Sequence, residues 1–90
     1  LMTSISFSQR AWQDYLWFQE NDKTLLKRIN LLIKDISRDS FSGIGKPEPL
    51  KSNLSGYWSR RINNEHRLVY TLHENTIIIA SCRFHYDKVI

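Results

Sequence analysis

Apolar residues recur with a helical period in the first part of this chain and with a strand period in the second. Residues 9–20 and the segment after Asp22 carry apolar side chains three and four positions apart, which predicts two amphipathic helices. Ser8 and Asp22 precede these segments and are suited to cap them. So few residues separate the helices that they are expected to form a hairpin. The apolar face of the second helix comprises Leu25, Leu26, Ile29, Leu32, Ile33 and Ile36.

Strand-type alternation precedes the helices and returns after Gly56. A short first strand is predicted at residues 5–7, and the later strands are predicted at residues 57–62, 67–72 and 76–84. The short links between the later strands favour antiparallel pairing. The predicted fold is therefore α+β, with an N-terminal helical hairpin packed on one face of a small twisted antiparallel sheet.

The composition limits the chain of 90 residues to one small domain, with residues 1–4 and 87–90 as peripheral tails. The single cysteine, Cys82, excludes an internal disulfide and a cysteine-cluster zinc site, and its place within an apolar run favours a core role. The three histidines lack metal-ligand spacing, so neither a metal nor a cofactor is expected. No apolar run approaches the ~20 residues that span a bilayer, and no signal-peptide pattern is present. We therefore expect a cytoplasmic protein without a membrane partner.

The positive charge is concentrated in the second half of the chain. The net charge is +4, and residues 46–90 hold seven basic and four acidic side chains against six and five in residues 1–45. An anionic partner would therefore meet the second half first, although many soluble domains carry this charge without binding anything anionic. Arginine suits bidentate phosphate contacts, and four of the seven arginines lie in this half: Arg60, Arg61, Arg67 and Arg83.

Glu48 stands between two prolines and two nearby lysines, in the segment that runs from Lys46 to Lys51. The prolines stiffen the backbone, so the carboxylate is either held as a base or simply solvated in a proline-rich turn. Together with Arg67 and His85 it would supply a base, a cation and an acid, the groups needed to cleave RNA through the ribose 2′-OH. From spacing alone this is one of many such triples.

Five blocks of sequence follow one another in the second half of the chain. These blocks are Gly45-Lys46-Pro47-Glu48-Pro49-Leu50-Lys51, Asn53-Leu54-Ser55-Gly56, Trp58-Ser59-Arg60-Arg61-Ile62, Glu65-His66-Arg67-Leu68-Val69-Tyr70 and Cys82-Arg83-Phe84-His85-Tyr86. In this order they resemble the YoeB toxins of the RelE/ParE superfamily, and the match covers about residues 5–86. The resemblance implies a RelE/ParE-like, microbial RNase-like fold. It also implies the toxin of a bacterial type II toxin–antitoxin pair, an endoribonuclease that cuts mRNA in the ribosomal A site and inhibits translation.

The resemblance also implies a role for each site residue. Glu48 matches the family's base, Arg67 its transition-state arginine and His85 its acid, while Tyr86 matches the tyrosine that positions the RNA. Glu65 is expected to orient neighbouring arginines. The implied RNA-binding residues are Lys46, Lys51 and Arg61.

The implied partners are the 70S ribosome, its mRNA and an acidic YefM-like antitoxin whose disordered tail folds over the basic cleft. A homodimer is also compatible with the resemblance. One departure is that the chain continues beyond Tyr86, so Asp87 is expected either to replace a terminal negative charge or to belong to a tail that covers the cleft. Two alternatives remain: a ParE-like inhibitor of DNA gyrase, against which Glu48 and His85 argue, and an RNA-binding domain that has lost its catalytic site.

Overall fold

The computed structural model describes residues 4–88, which form two helices and a five-stranded sheet. Two single 3₁₀ turns, Ser52–Leu54 and Tyr86–Lys88, complete the regular structure. The predicted α+β class and the helical hairpin are confirmed. In chain order the elements are β1 (Ser4–Phe7), α1 (Gln9–Asn21), α2 (Lys23–Arg38), β2 (Glu48–Pro49), β3 (Trp58–Arg61), β4 (Arg67–His73) and β5 (Thr76–Ser81).

Both predicted helix caps are present. The Ser8 hydroxyl accepts a hydrogen bond from the Ala11 amide and donates one to the Ala80 carbonyl, so the cap also ties α1 to β5. The Asp22 carboxylate accepts from the Leu25 amide at the start of α2. One residue therefore separates the helices, since α1 extends to Asn21, one residue further than predicted, and the short link expected from the sequence is confirmed.

The strand order is β1-β5-β4-β3-β2. Neighbouring strands from β2 to β5 are antiparallel, as predicted, but β1 lies parallel to β5, so the sheet is mixed. Short links favour antiparallel pairing only between strands that follow one another in the chain. The helices and the other three strands separate β1 from β5 in the chain, so no short link governs how these two strands pair.

One face of the sheet packs against α2 and forms the core. The buried side chains Ile29, Leu32 and Ile36 of α2 meet the inward side chains of the central strands, which are Leu68, Tyr70, Ile77 and Ile79. Cys82 is also fully buried, which confirms its predicted core role, and burial raises the pKa of its thiol.

Two parts of the sheet differ from the prediction by more than one residue at a strand end. Glu48–Pro49, predicted as a stiff loop, forms the short edge strand β2, which accepts proline because an edge strand leaves one side of its backbone unpaired. β5 ends at Ser81, three residues early, because the Cys82 amide leaves the sheet and donates to the Asp14 carboxylate. Of the predicted tails, residues 1–3 and 89–90 lie outside the described residues, whereas Ser4 pairs with Thr76 in the sheet.

Arg60, a fully buried side chain of β3, holds the loop between α2 and β2. Its guanidinium donates to the carboxylate of Asp35 on α2. It also donates to the carbonyls of Asp39, Ser42 and Ile44, at distances of 2.6–3.1 Å. A buried charge requires such complete pairing, so the loop takes one path around the arginine.

Asp35 is the ionic partner of this arginine. Its carboxylate accepts from Arg38, from the Ile44 amide and from Arg60, and these hydrogen bonds lower the pKa of the Asp35 carboxyl from 3.8 to about 2. Gly43 passes so close to this carboxylate that a Cβ atom on it would lie 2.0 Å from Asp35 Oδ2. The loop therefore requires glycine at this position.

Among the described residues, no helix has the length and apolar character that crossing a membrane demands.

Replacing the buried arginine by methionine is expected to lower the free energy of unfolding by about 3–5 kcal/mol, because Arg60→Met leaves a carboxylate and several carbonyls without their donor. Urea denaturation measures this change. Arg38→Met is the matched control, since its side chain pairs with the same carboxylate but is 70% exposed. Equal midpoint shifts in the two variants would contradict this account of the loop.

Stability is expected to fall as the pH drops from 3.8 towards about 2. In this pH window Asp35 is largely protonated in the unfolded chain and still ionised in the folded protein. Lowering the pH therefore favours unfolding. Above the window the contribution is fully present. Asp35→Asn should flatten this part of a stability–pH curve measured by urea denaturation, and an unchanged slope would refute the assignment.

Candidate active site

A small polar cavity of about 210 Å³ lies on the sheet face away from α2. Four larger cavities, beside Arg10, Leu31, Trp12 and Pro49, have no histidine in their linings. The small cavity is therefore distinguished by its chemical groups and not by its size. The small cavity is lined by Lys46, Glu48, Ser59, Arg61, Arg67, His85 and Tyr86. It therefore brings together six of the seven residues expected from the sequence.

The sheet register explains how three strands contribute to one cavity. Residues opposite each other on antiparallel strands share a face, and side chains two positions apart on one strand do so as well. Glu48 on β2 pairs with Ser59 on β3, and Arg61 two residues later pairs with Arg67 on β4. These four side chains therefore project from the same face of the sheet.

The loop held by Arg60 delivers Lys46 and Glu48 to this face. The Gly45 carbonyl accepts from the Arg61 amide at 2.7 Å, which joins the end of the loop to β3. Gly45 has φ +80°, and a Cβ atom on it would lie 2.8 Å from Leu32 of α2. Its conformation and this close approach both require glycine just before the two site residues.

Arg67 is held by backbone carbonyls on one side of its guanidinium. Its Nη1 donates to the Asn63 carbonyl at 2.7 Å and to the His66 carbonyl at 3.1 Å. Within residues 4–88, Nε and Nη2 of Arg67 make no hydrogen bond. Arg67 as a whole is 8% exposed. The cation is therefore fixed in place with donors left for a bound anion.

The segment after β5 is clamped before it reaches the cavity. The Phe84 amide donates to Nδ1 of His66 at 2.8 Å, and the Phe84 carbonyl accepts from the Arg67 amide at 3.1 Å. Phe84 has φ +69°, a left-handed conformation that is costly for an aromatic residue and persists because of this clamp. The turn directs His85 and Tyr86 towards the cavity.

His85 and Tyr86 lie on one side of the molecule because the chain turns here. Strand parity would place them on opposite faces, but their rings are 4.1 Å apart between centroids. Tyr86 also lines a neighbouring cavity of about 290 Å³ together with Glu48 and Lys51. Lys51, the seventh expected residue, therefore lies next to the main cavity and not in it.

Three charged residues do not behave as the sequence suggested. Arg60 is buried in the core, and the Arg83 guanidinium lies 3.6 Å from the ring centre of Trp17, so neither lines the cavity. Glu65, expected to orient arginines, instead has its carboxylate 3.5 Å from Nε2 of His66. A count of arginines in the sequence cannot distinguish a buried arginine from an exposed one.

Two further residues of the site were missed. Ser59 lines the cavity. It pairs with Glu48 on β2, so a prediction of that strand would have placed Ser59 beside the expected base. His66 lies behind the cavity, 6% exposed, and acts through the Phe84 amide. The sequence shows that His66 precedes Arg67, but it gives no sign of the hydrogen bond between His66 and Phe84, which is 18 residues later.

The cavity combines the three kinds of group that transfer protons and stabilise anions. A carboxylate can accept a proton, an imidazole can donate one, and three cations can stabilise negative charge between them. A phosphodiester is the anionic substrate class that this set fits.

The chain is similar to known bacterial toxins over nearly its whole length. It is 71% identical over 84 residues to Toxin YoeB of Synechocystis sp., a match that covers 93% of this chain and 98% of that protein. The solved structure of a YoeB dimer from Staphylococcus aureus is 59% identical, with a TM-score of 0.88, over 96% of this chain and all of the other. A heterotetrameric YoeB–YefM toxin–antitoxin complex from the same species gives 59% identity and a TM-score of 0.86 over the same shares of the two chains.

Two helices on a five-stranded mixed sheet, with a cationic cavity on its open face, are the architecture that this chain shares with small α+β toxins of the YoeB type. The model of the YoeB-like toxins of bacterial type II toxin–antitoxin systems matches residues 7–86. The chain belongs to this family of toxins.

His66→Ala is expected to release the clamp on Phe84 and to lower the free energy of unfolding by about 1–3 kcal/mol, because the amide loses its acceptor. Hydrogen exchange should then be faster at the Phe84 amide. His73→Ala is the control, since that histidine is 75% exposed. If the Phe84 amide kept its protection in His66→Ala, the clamp would be disproved.

Proposed function

We propose that this toxin is a metal-independent endoribonuclease that cleaves mRNA in the ribosomal A site and so inhibits translation. The observation that carries this proposal is the single cavity holding Glu48, Arg67 and His85. Each supplies one of the functions that cleavage by an internal nucleophile needs.

In the proposed reaction the Glu48 carboxylate removes the proton from a ribose 2′-OH. The 2′-oxygen attacks the adjacent phosphorus, and the bond from phosphorus to the 5′-oxygen breaks. His85 gives a proton to that leaving oxygen. The products are an RNA ending in a 2′,3′-cyclic phosphate and an RNA beginning with a 5′-hydroxyl. One proton leaves the substrate and one is returned, so the step balances.

The cations act on the phosphate as negative charge builds up. Arg67, whose guanidinium is fixed by backbone carbonyls, would donate to the non-bridging oxygens of the phosphorane. Arg61 and Lys46 line the same cavity and are exposed, which suits contacts to the RNA backbone. Lys51 would bind a neighbouring phosphate from the adjacent cavity. Tyr86 lies between the two cavities and would position the RNA at the cleaved bond.

The ribosome is the proposed setting for this reaction. Support comes from the resemblance of the catalytic blocks to toxins that act in the A site, and from the net charge of +4, which favours approach to ribosomal RNA.

The proposed partner in the cell is an acidic, YefM-like antitoxin. The YoeB of Staphylococcus aureus is found in a complex with YefM, and it is also found as a dimer. A disordered acidic tail that covered Arg61 and Lys46 would neutralise the cavity and exclude RNA. We propose the same antitoxin contact, and a homodimer, for this chain.

Glu48→Ala, Arg67→Ala and His85→Ala are each expected to lower cleavage by about 10²–10⁴-fold, since each removes a proton-transfer group or a charge that stabilises the transition state. Primer extension on mRNA in a reconstituted bacterial translation reaction, with and without ribosomes, measures this loss.

Matched controls are available in the same chain. Glu74→Ala, His73→Ala and Arg38→Ala remove the same side chains at positions 70–83% exposed and outside the cavity, and should cut at the wild-type rate. Cuts that survive all three site variants would refute the proposed chemistry. If the wild-type protein made no cuts, inhibition of DNA gyrase and RNA binding without cleavage would be tested next.

A further inference from the structure

The carboxylate of Asp87 lies next to the imidazole of His85. Its Oδ1 atom is 3.0 Å from His85 Nδ1, within hydrogen-bond distance. The 3₁₀ turn Tyr86–Lys88 folds the side chain at position 87 back over the residue two positions earlier. Asp87 lies one residue beyond the part of the chain that the family model matches.

Nδ1 of His85 lies beside Asp87, and His85 also lines the cavity that holds Glu48 and Arg67. The hydrogen bond made by one ring nitrogen decides where a neutral imidazole carries its proton. A carboxylate can only accept, so a hydrogen bond between Asp87 and this nitrogen forms when Nδ1 carries the proton.

We propose that Asp87 is a positioning residue for His85, which holds a proton on Nδ1 and orients Nε2 as the atom that donates to the leaving oxygen. This inference rests on the proposed function. The doubly protonated imidazolium gives the proton of Nε2 to the 5′-oxygen, and the neutral ring that remains carries its proton on Nδ1. Asp87 accepts a hydrogen bond from Nδ1 both before and after the transfer.

Charged side chains of both signs surround His85. Lys46, Arg61, Arg67 and Glu48 line the cavity together with it. Asp87 adds a second negative charge on the Nδ1 side. The ring of Tyr86 packs against the imidazole, with 4.1 Å between the two ring centroids.

The backbone amide of Asp87 favours the opposite tautomer of neutral His85, and this makes the proposal testable. The Asp87 amide lies 3.4 Å from His85 Nδ1 and can donate only if that nitrogen carries no proton. Without the carboxylate, the amide would favour the proton on Nε2. We therefore expect Asp87→Ala to move the proton of neutral His85 from Nδ1 to Nε2.

The test is nitrogen-15 NMR of the imidazoles in the free protein, at a pH where they are neutral. His66 is an internal standard for the opposite tautomer, because its Nδ1 accepts from the Phe84 amide. Glu65→Ala is the matched control, since it removes a carboxylate beside His66 and not beside His85. His85 should show a protonated Nδ1 in the wild type and in Glu65→Ala, and a protonated Nε2 in Asp87→Ala. A protonated Nε2 in the wild type, or no change in Asp87→Ala, would overturn the proposal.

Ribosome-dependent cleavage gives the second readout. Asp87→Ala should lower kcat by about tenfold with KM unchanged, less than the ~10⁴-fold effect of a buried Asp–His pair because the Asp87 side chain is 67% exposed. Asp87→Glu should restore part of the rate. An unchanged kcat in Asp87→Ala would overturn the positioning role. A wild-type protein with the Nδ1–H tautomer but no cleavage would instead refute the proposed function and leave the contact supported.

Discussion

The buried guanidinium of Arg60 is the constraint on which the rest of the site depends. It binds the carboxylate of Asp35 on α2 and three carbonyls of the loop that follows, so one side chain joins helix, loop and sheet. A cation in the core is stable only with all of its donors paired. The loop therefore has one conformation, and the same conformation brings Glu48 to the edge of the sheet.

Two adjacent arginines on β3 show how a strand can serve both stability and function. Successive side chains of a strand point to opposite faces, so Arg60 enters the core while Arg61 lines the cavity. Arg67 pairs with Arg61 across the sheet, and its own amide helps to clamp Phe84 ahead of His85. Two of the proposed catalytic groups, Glu48 and His85, are thus held by backbone contacts to β3 and β4, which gives them fixed positions before any substrate binds.

The helices, the class of fold and most of the site could be predicted from the sequence, for different reasons. The helical period and the capping residues Ser8 and Asp22 are local signals, and the structure has both helices with these caps. The site residues were found through resemblance, since spacing alone left Glu48, Arg67 and His85 as one triple among many. The structure adds the observation that these three side chains line one cavity.

What could not be predicted depends on contacts between residues far apart in the chain. The parallel pairing of β1 with β5, the burial of Arg60 and the His66–Phe84 hydrogen bond each join segments that carry no local sign of each other. Period-2 parity also fails beyond Ser81, because the Cys82 amide turns to Asp14 and the chain leaves the sheet. The orientation of His85 follows from this departure and from the left-handed turn at Phe84.

The central claim is that a ribose 2′-OH attacks the phosphate in the cavity of Glu48, Arg67 and His85. The most direct measurement is cleavage of a ribosome-bound mRNA that carries a single 2′-deoxy nucleotide immediately before the bond that is cut in the unmodified message. The account predicts that this bond stays intact while the unmodified message yields a 2′,3′-cyclic phosphate end. Cleavage of the 2′-deoxy message at the same bond and rate would contradict the account, because no internal nucleophile would then be involved.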